Sequence, residues 1–178
     1  MSTSSSLVQQ SINVKSVVLH RVRVPLAEPF RISNGVVADK DSILVEVKGD
    51  HDVEGWGEGS PMTGSFYSSI TPDISWRNLT EHLIPKVLEL HEVQPGSFYQ
   101  QLREISADSF SKAGVEGALW EVLANRARTS LCELLGIKRR PVPSGVAIGI
   151  FETVEEMLER VRLYVNQGYQ RVKIKYMP

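Results

Sequence analysis

The residues with the clearest capacity for chemistry are Arg171, Lys173 and Lys175, in the run Gln170-Arg171-Val172-Lys173-Ile174-Lys175-Tyr176. Side chains alternate across a β-strand, so the three cations share one face and Val172, Ile174 and Tyr176 the other. Strands of a parallel sheet normally read as nearly continuous apolar runs. This one is apolar on one side only, so its cationic face either meets solvent or lines a polar cavity. The upstream run Ser144-Gly145-Val146-Ala147-Ile148-Gly149-Ile150 puts Val146, Ile148 and Ile150 on one face and Gly145, Ala147 and Gly149 on the other. A face of minimal side chains beside a face of lysines leaves room for a small molecule. Two ammonium groups at i and i+2 repel, which favours loss of one proton, and a neutral lysine is a general base. The pattern therefore offers proton abstraction, with an exposed Lys-x-Lys strand as the plain alternative.

These two strands flank a helix. Thr153 and Glu156 are spaced as a capping box, Val154, Met157, Leu158, Val161 and Val165 form an apolar stripe, and Gly168 is placed to end it. Strand, helix and strand make a βαβ unit with parallel strands and a right-handed crossover. Lys173 and Lys175 then stand at the C-terminal end of a parallel strand, where barrel enzymes carry their catalytic groups.

The preceding segment has a different organisation. Val14 to Val24 is strand-like and Pro25 should stop it, Ser42–Val47 forms a second strand, and Val53–Glu58 a third. The Lys48–Asp52 connection is of hairpin length, so the last two should pair antiparallel. Glu28–Gly35 reads as a loop too long for a tight turn, and long loops are often functional. From Trp76 the period shifts towards 3.6, with Leu79, Leu83, Ile84, Val87, Leu88 and Leu90 on one face, and Pro85 should kink or restart that helix. Ser111–Ala124 is a further helix whose small residues Ala113, Gly114, Gly117 and Ala118 allow close approach. Three strands followed by helices predict an α+β unit. Its expected span is residues 13–140, after a flexible tail over 1–12. The βαβ segment over 141–178 follows, and Lys138-Arg139-Arg140-Pro141-Val142-Pro143 is read as a solvated linker.

Composition excludes several classes. The 178 residues are 42% hydrophobic and 23% charged, near the globular average, with a formal net charge of −1. That balance gives no reason to expect nucleic acid or an anionic membrane as partner, and no run approaches the roughly 20 apolar residues of a membrane span. The Ser-rich start resembles no secretion signal, so a cytoplasmic location is expected. Cys132, the one cysteine, rules out a disulfide framework and reads as a small apolar filler in a helix interior. His20, His51, His82 and His91 share no metal-like spacing. Trp56 and Trp120 are expected in the core, and Glu58 and Glu116 as structural residues.

Four stretches together resemble the enolase superfamily, in its muconate-lactonizing-enzyme subgroup, and most closely the o-succinylbenzoate synthases and N-acylamino acid racemases. They are Pro29-Phe30-Arg31-Ile32-Ser33-Asn34-Gly35, Gly55-Trp56-Gly57-Glu58, Lys112–Glu121 and Gly168–Lys175, in that order. The resemblance implies an α+β capping domain with a three-stranded antiparallel meander, followed by the first βαβ unit of a truncated (β/α)8 barrel. It implies Lys175 as the catalytic base and Lys173 as the neighbour that eases its loss of a proton. Loops matching Phe30–Gly35 and Ser60–Ser69 close over the substrate in that family. Phe30 and Ser33 on the first, Phe66 and Tyr67 on the second, and Ala147 on the inward face of the first barrel strand would line a small-molecule carboxylate. Ala147 stands where some relatives carry a hydroxyl residue.

The implied reaction is removal of a proton α to a carboxylate, followed by dehydration in menaquinone biosynthesis or by reprotonation. Dipeptide epimerase and muconate cycloisomerase activities are alternatives. The superfamily is also a known instance of a lysine base working with Mg2+ on an enediolate. Its metal is held by acids on the third to fifth barrel strands, and a second lysine lies on the sixth. None of these falls within the 178 residues, so the expectation is a fragment, inactive alone, with no metal ligands of its own, that would be homo-oligomeric at full length. A non-catalytic module that pairs with another chain is the reading from a different class.

Overall fold

The structure, a computed structural model, describes residues 9–64, 67–90 and 92–175. By contact the chain divides into two compact units, Met1–Arg23 with Asp41–Arg139, and Val24–Lys40 with Arg140–Pro178.

A three-stranded antiparallel sheet runs in the order β1 (Ser16–Ile32), β2 (Gly35–Lys48) and β3 (Glu54–Gly59), of which the stretch Val24–Lys40 belongs to the second unit. β2 and β3 pair antiparallel with Val45 opposite Gly57, joined by a short helical turn over Asp50–Asp52. Helices follow: α1 (Pro72–Asn78), α2 (Ile84–Glu89), α3 (Pro95–Arg103), α4 (Ser109–Arg126) and α5 (Leu131–Leu134). A π-helical turn over Leu79–Leu83 connects α1 to α2, and Pro85 lies in the first turn of α2. The expected restart at Pro85 is therefore present, since proline lacks the N–H that a helix interior needs but a first turn does not.

The core follows the period-3.6 pattern except at Leu88, which is exposed near the end of α2. Leu79, Leu83 and Val87 are fully buried with Val115, Ala118, Leu119, Val122 and Leu123 of α4, against Ile43, Val45 and Val47 of β2. Asp108 starts α4 by accepting from the Ser111 N–H at 3.0 Å, and it also accepts from Ser75 Oγ at 3.1 Å and Asn78 Nδ2 at 2.9 Å. Burial pushes the Asp108 carboxyl up, but the donors from Ser111, Asn78 and Ser75 outweigh it and leave the group below its ordinary value. The buried Asp41 accepts from Arg23 Nε at 2.9 Å and Nη2 at 3.1 Å, and from Thr63 Oγ1.

Several expectations are corrected here. β1 runs through Pro25 to Ile32 because it is an edge strand, where a missing N–H breaks no central ladder. The expected Glu28–Gly35 loop is instead strand up to Ile32, a two-residue turn at Ser33-Asn34, and strand again from Gly35. Cys132 is exposed, because α5 has four residues and buries only Leu134. Trp56 is 41% exposed on the sheet face away from the core and stacks on His20 at 5.2 Å, whereas Trp120 packs partly buried against the core.

In the second unit β4 (Val146–Ile148) pairs parallel with β5 (Val172–Ile174), and α6 (Val154–Asn166) connects them. Thr153 Oγ1 accepts from the Glu156 N–H at 3.2 Å to start α6. At its end Gly168 takes φ +92°, which lets Tyr169 N–H reach Tyr164 O at 3.1 Å while their rings meet edge-on. α6 buries none of its residues completely, and Ile148 is the one fully buried hydrophobic side chain of this unit among the described residues.

Candidate active site

The βαβ unit sets the lysine face. Ala147 stands directly opposite Lys173 in the parallel ladder, and Ile148 opposite Ile174. The small residue and the cation therefore share one side of the two strands, and Ile148 and Ile174 share the other. Lys173 is exposed. Lys175, just beyond the last residue of β5, is half-buried, and its Nζ lies 4.5 Å from the centroid of the Phe30 ring. An ammonium over an aromatic face is attracted by the ring quadrupole. The geometry brings together Lys175 and Phe30, whose separation in sequence hides the contact.

Gly149 makes that approach possible. A Cβ at this position would lie 3.1 Å from Arg31 O and 3.4 Å from Phe30 Cδ2, so a larger residue would push the hairpin away. The Ile150 N–H donates to Arg31 O at 3.1 Å, fixing the hairpin strand against the residues that follow β4. Arg31 also pairs with Glu152 at 3.3 Å, and Arg160 of α6 with Glu28 at 2.7 Å. A cleft of about 1000 Å³ opens here, with Phe30, Ala147, Phe151 and Tyr164 among its walls.

Two further expected substrate residues, Ser33 and Tyr67, are exposed. Ser33 is exposed at the hairpin turn, where its Oγ donates to Asn34 Oδ1 at 3.2 Å. Tyr67 belongs to the first unit and is 66% exposed. Phe66 lies outside the described residues. Glu58 is structural, as expected, accepting from Ser42 Oγ at 2.5 Å and Ser60 Oγ at 3.0 Å. Glu28, Arg31, Glu152 and Arg160 were not singled out by sequence reasoning. Their partners are more than a hundred residues apart, and no local spacing signals them.

Among the described residues no group of three or more His, Cys, Asp or Glu side chains converges on a point that could hold a metal ion. The described residues thus form no site for the Mg2+ that the resemblance implies. No helix among them is long and apolar enough to cross a membrane.

Residues 14–136 match the family model of the mandelate racemase / muconate lactonizing enzyme N-terminal domain. The chain belongs to this family. It is 35% identical over 168 residues to o-succinylbenzoate synthase of Geobacillus kaustophilus, spanning 94% of this chain and 45% of that protein. It is 31% identical over 167 residues to N-succinylamino acid racemase of an Amycolatopsis species, again spanning 94% and 45%. A crystal structure of an enolase-superfamily member from Listeria innocua matches with a TM-score of 0.86 at 29% identity, over 94% of this chain and 45% of that one. The chain therefore spans just under half the length of the relatives it matches.

Proposed function

We propose that this chain supplies the hairpin and the proton-abstracting lysine of an enzyme of the o-succinylbenzoate synthase and N-acylamino acid racemase type. The observation that carries the reading is the position of Lys175: at the C-terminal end of a parallel strand, half-buried, with its Nζ over Phe30. In this reading Lys175 Nζ takes the proton from the carbon α to the substrate carboxylate and becomes an ammonium over the Phe30 ring, and the electron pair of the broken C–H bond moves into the carboxylate to give an enediolate. Collapse of the enediolate either expels a β-hydroxyl, which leaves as water with the proton that Lys175 returns, or takes a proton on the opposite face from an acid in the remaining length of the relatives. Lys173 provides a positive charge on the strand face, and the single methyl of Ala147 opposite it leaves space there. Phe30 excludes water from one side of the base, and Ser33 stands at the turn of the same hairpin. The substrate is a small carboxylate, with dehydration to o-succinylbenzoate the first choice, and Mg2+ would be held by groups in the remaining length of the relatives.

The test joins this chain to the corresponding remainder of the Geobacillus kaustophilus relative and follows α-proton exchange in deuterated water by NMR, with N-succinylamino acids as substrates. Lys175→Ala should lower exchange by about 10²–10⁴-fold, the usual contribution of a general base. Undiminished exchange in that variant would sink the assignment.

The exposed apolar side of α6 favours a second reading, in which the chain is a module that binds a separately encoded partner. Complementation by an added barrel remainder, with no exchange gained through Lys175, would support that reading instead.

A further inference from the structure

Two ion pairs of opposite polarity join the hairpin to the βαβ unit. The hairpin contributes Glu28 and Arg31, three residues apart, and these meet Arg160 at 2.7 Å and Glu152 at 3.3 Å. Glu152 lies just before α6 and Arg160 in its second turn. The Arg160 guanidinium is also 6.0 Å from the Phe151 ring centroid, which limits where its head can go. None of the residues 24–40 is fully buried, so no hydrophobic core fixes this part of the hairpin. All four charged side chains remain partly exposed, from 28% at Arg160 to 76% at Glu152. Exposed pairs of this kind shift an equilibrium by only about 1.4- to 5-fold each. Such weak, reversible contacts respond readily to ionic strength.

We propose that Glu28, Arg31, Glu152 and Arg160 form an electrostatic clasp that positions the hairpin, and with it Phe30, over Lys175. They are positioning residues, which act through Phe30 rather than on a substrate. The clasp rests on the proposed function only for its consequence, namely that ionic strength tunes how completely the base is covered.

The Ile150 N–H reports the clasp directly, since it donates to Arg31 O. Its hydrogen exchange would be read by NMR on the 178-residue chain, with the Val93 N–H, bonded to Ile12 O in the other unit, as reference. Glu152→Gln and Arg160→Gln should each speed Ile150 exchange by about 2- to 5-fold while leaving Val93 unchanged. Arg160→Glu should speed it further, and Arg160→Glu with Glu28→Arg should restore it. Added NaCl should accelerate exchange in the unsubstituted chain and have little effect on the E152Q/R160Q variant, because screening acts on pairs that remain. Unchanged exchange at Ile150, equal acceleration at Val93, or failure of the charge swap to restore protection would overturn the clasp. Loss of the catalytic reading at Lys175 would leave all of these exchange results standing, so the two fail separately.

Discussion

A Cβ placed on Gly57 would lie 1.9 Å from the carbonyl oxygen of Gly114, so strand β3 and helix α4 meet backbone to backbone. The contact extends along both elements. A Cβ on Gly55 would lie 2.4 Å from Ala118 O, and one on Gly114 2.8 Å from Gly59 N. The Trp56 N–H, on this edge of the sheet, donates to the Glu121 carboxylate of α4, and Asn125 Nδ2 donates to Glu54 O at 2.9 Å. The helix thus covers an edge strand whose free donors and acceptors would otherwise face water or another chain.

Gly57→Ala should therefore destabilise the first unit by about 3 kcal/mol or more, at the upper end of overpacking costs, because the added methyl meets backbone that cannot rotate away. Gly117→Ala is the matched control. Its nearest neighbour would be Gly57 Cα at an ordinary 3.7 Å, and alanine in an exposed helical position gains about 0.5–1 kcal/mol over glycine. Urea unfolding followed by the fluorescence of Trp56, Trp76 and Trp120 separates the two. Equal effects at both positions would contradict the backbone contact.

The small residues of α4 are legible in the sequence as a surface for close approach, and so are the βαβ unit, the strand order of the meander and the restart at Pro85. The hairpin is less legible. Asn34-Gly35 is a strong local hairpin signal, but Pro25 reads as the end of the first strand, and the tolerance of an edge strand for proline depends on neighbours that no local pattern reveals. The shared face of Ala147 and Lys173 is legible because strand alternation is local. Phe30 over Lys175 and the Glu28–Arg160 pair were not found from the residues alone, since each joins elements that become neighbours only after folding.

Asp108 carries a network whose loss should be felt beyond one helix cap. Asp108→Ala removes the N-cap of α4 and strips the acceptor from Ser75, Asn78 and Ser111, of which Ser75 and Ser111 are fully buried. A cap contributes about 1 kcal/mol and buried groups left unpaired cost about 1–3 more, so a loss of about 2–4 kcal/mol is expected. Asp108→Asn should keep part of it, because an amide oxygen still accepts. A thermal melt in which the alanine and asparagine variants coincide would show that the network is dispensable.

Asp41 should give the first unit a specific acid sensitivity. Hydrogen bonds from Arg23 hold its carboxyl below the ordinary value against the opposing effect of burial, and Thr63 adds to the same direction. A group with a lowered folded-state pKa contributes stability that is fully present above its unfolded value, about 3.9 for aspartate, and is lost as the pH falls through the lower folded value. Asp41→Asn should accordingly be less stable than the unsubstituted chain at pH 7. The gap should narrow below about pH 4. A stability difference that stays constant from pH 7 to pH 2.5 would show that the Arg23 pair is not its source.

The apolar stripe of α6 is the reverse case, a pattern legible in sequence that stays exposed among the described residues. Val154 and Leu158 lie one turn apart and Val165 two turns further along, and they are 61%, 41% and 54% exposed. Exposed apolar surface of this kind drives association. The chain should self-associate as its concentration rises, and Leu158→Glu with Val165→Glu should weaken that association at least about tenfold, since burying one such side chain contributes about 1.5–3 kcal/mol. Sedimentation velocity measures the change directly. Supplying the rest of the barrel, taken from the Geobacillus kaustophilus relative, should have the same effect without any substitution, because it would compete for the same stripe. Self-association untouched by either treatment would place the sticky surface elsewhere and remove the support that α6 gives to a partner-binding module.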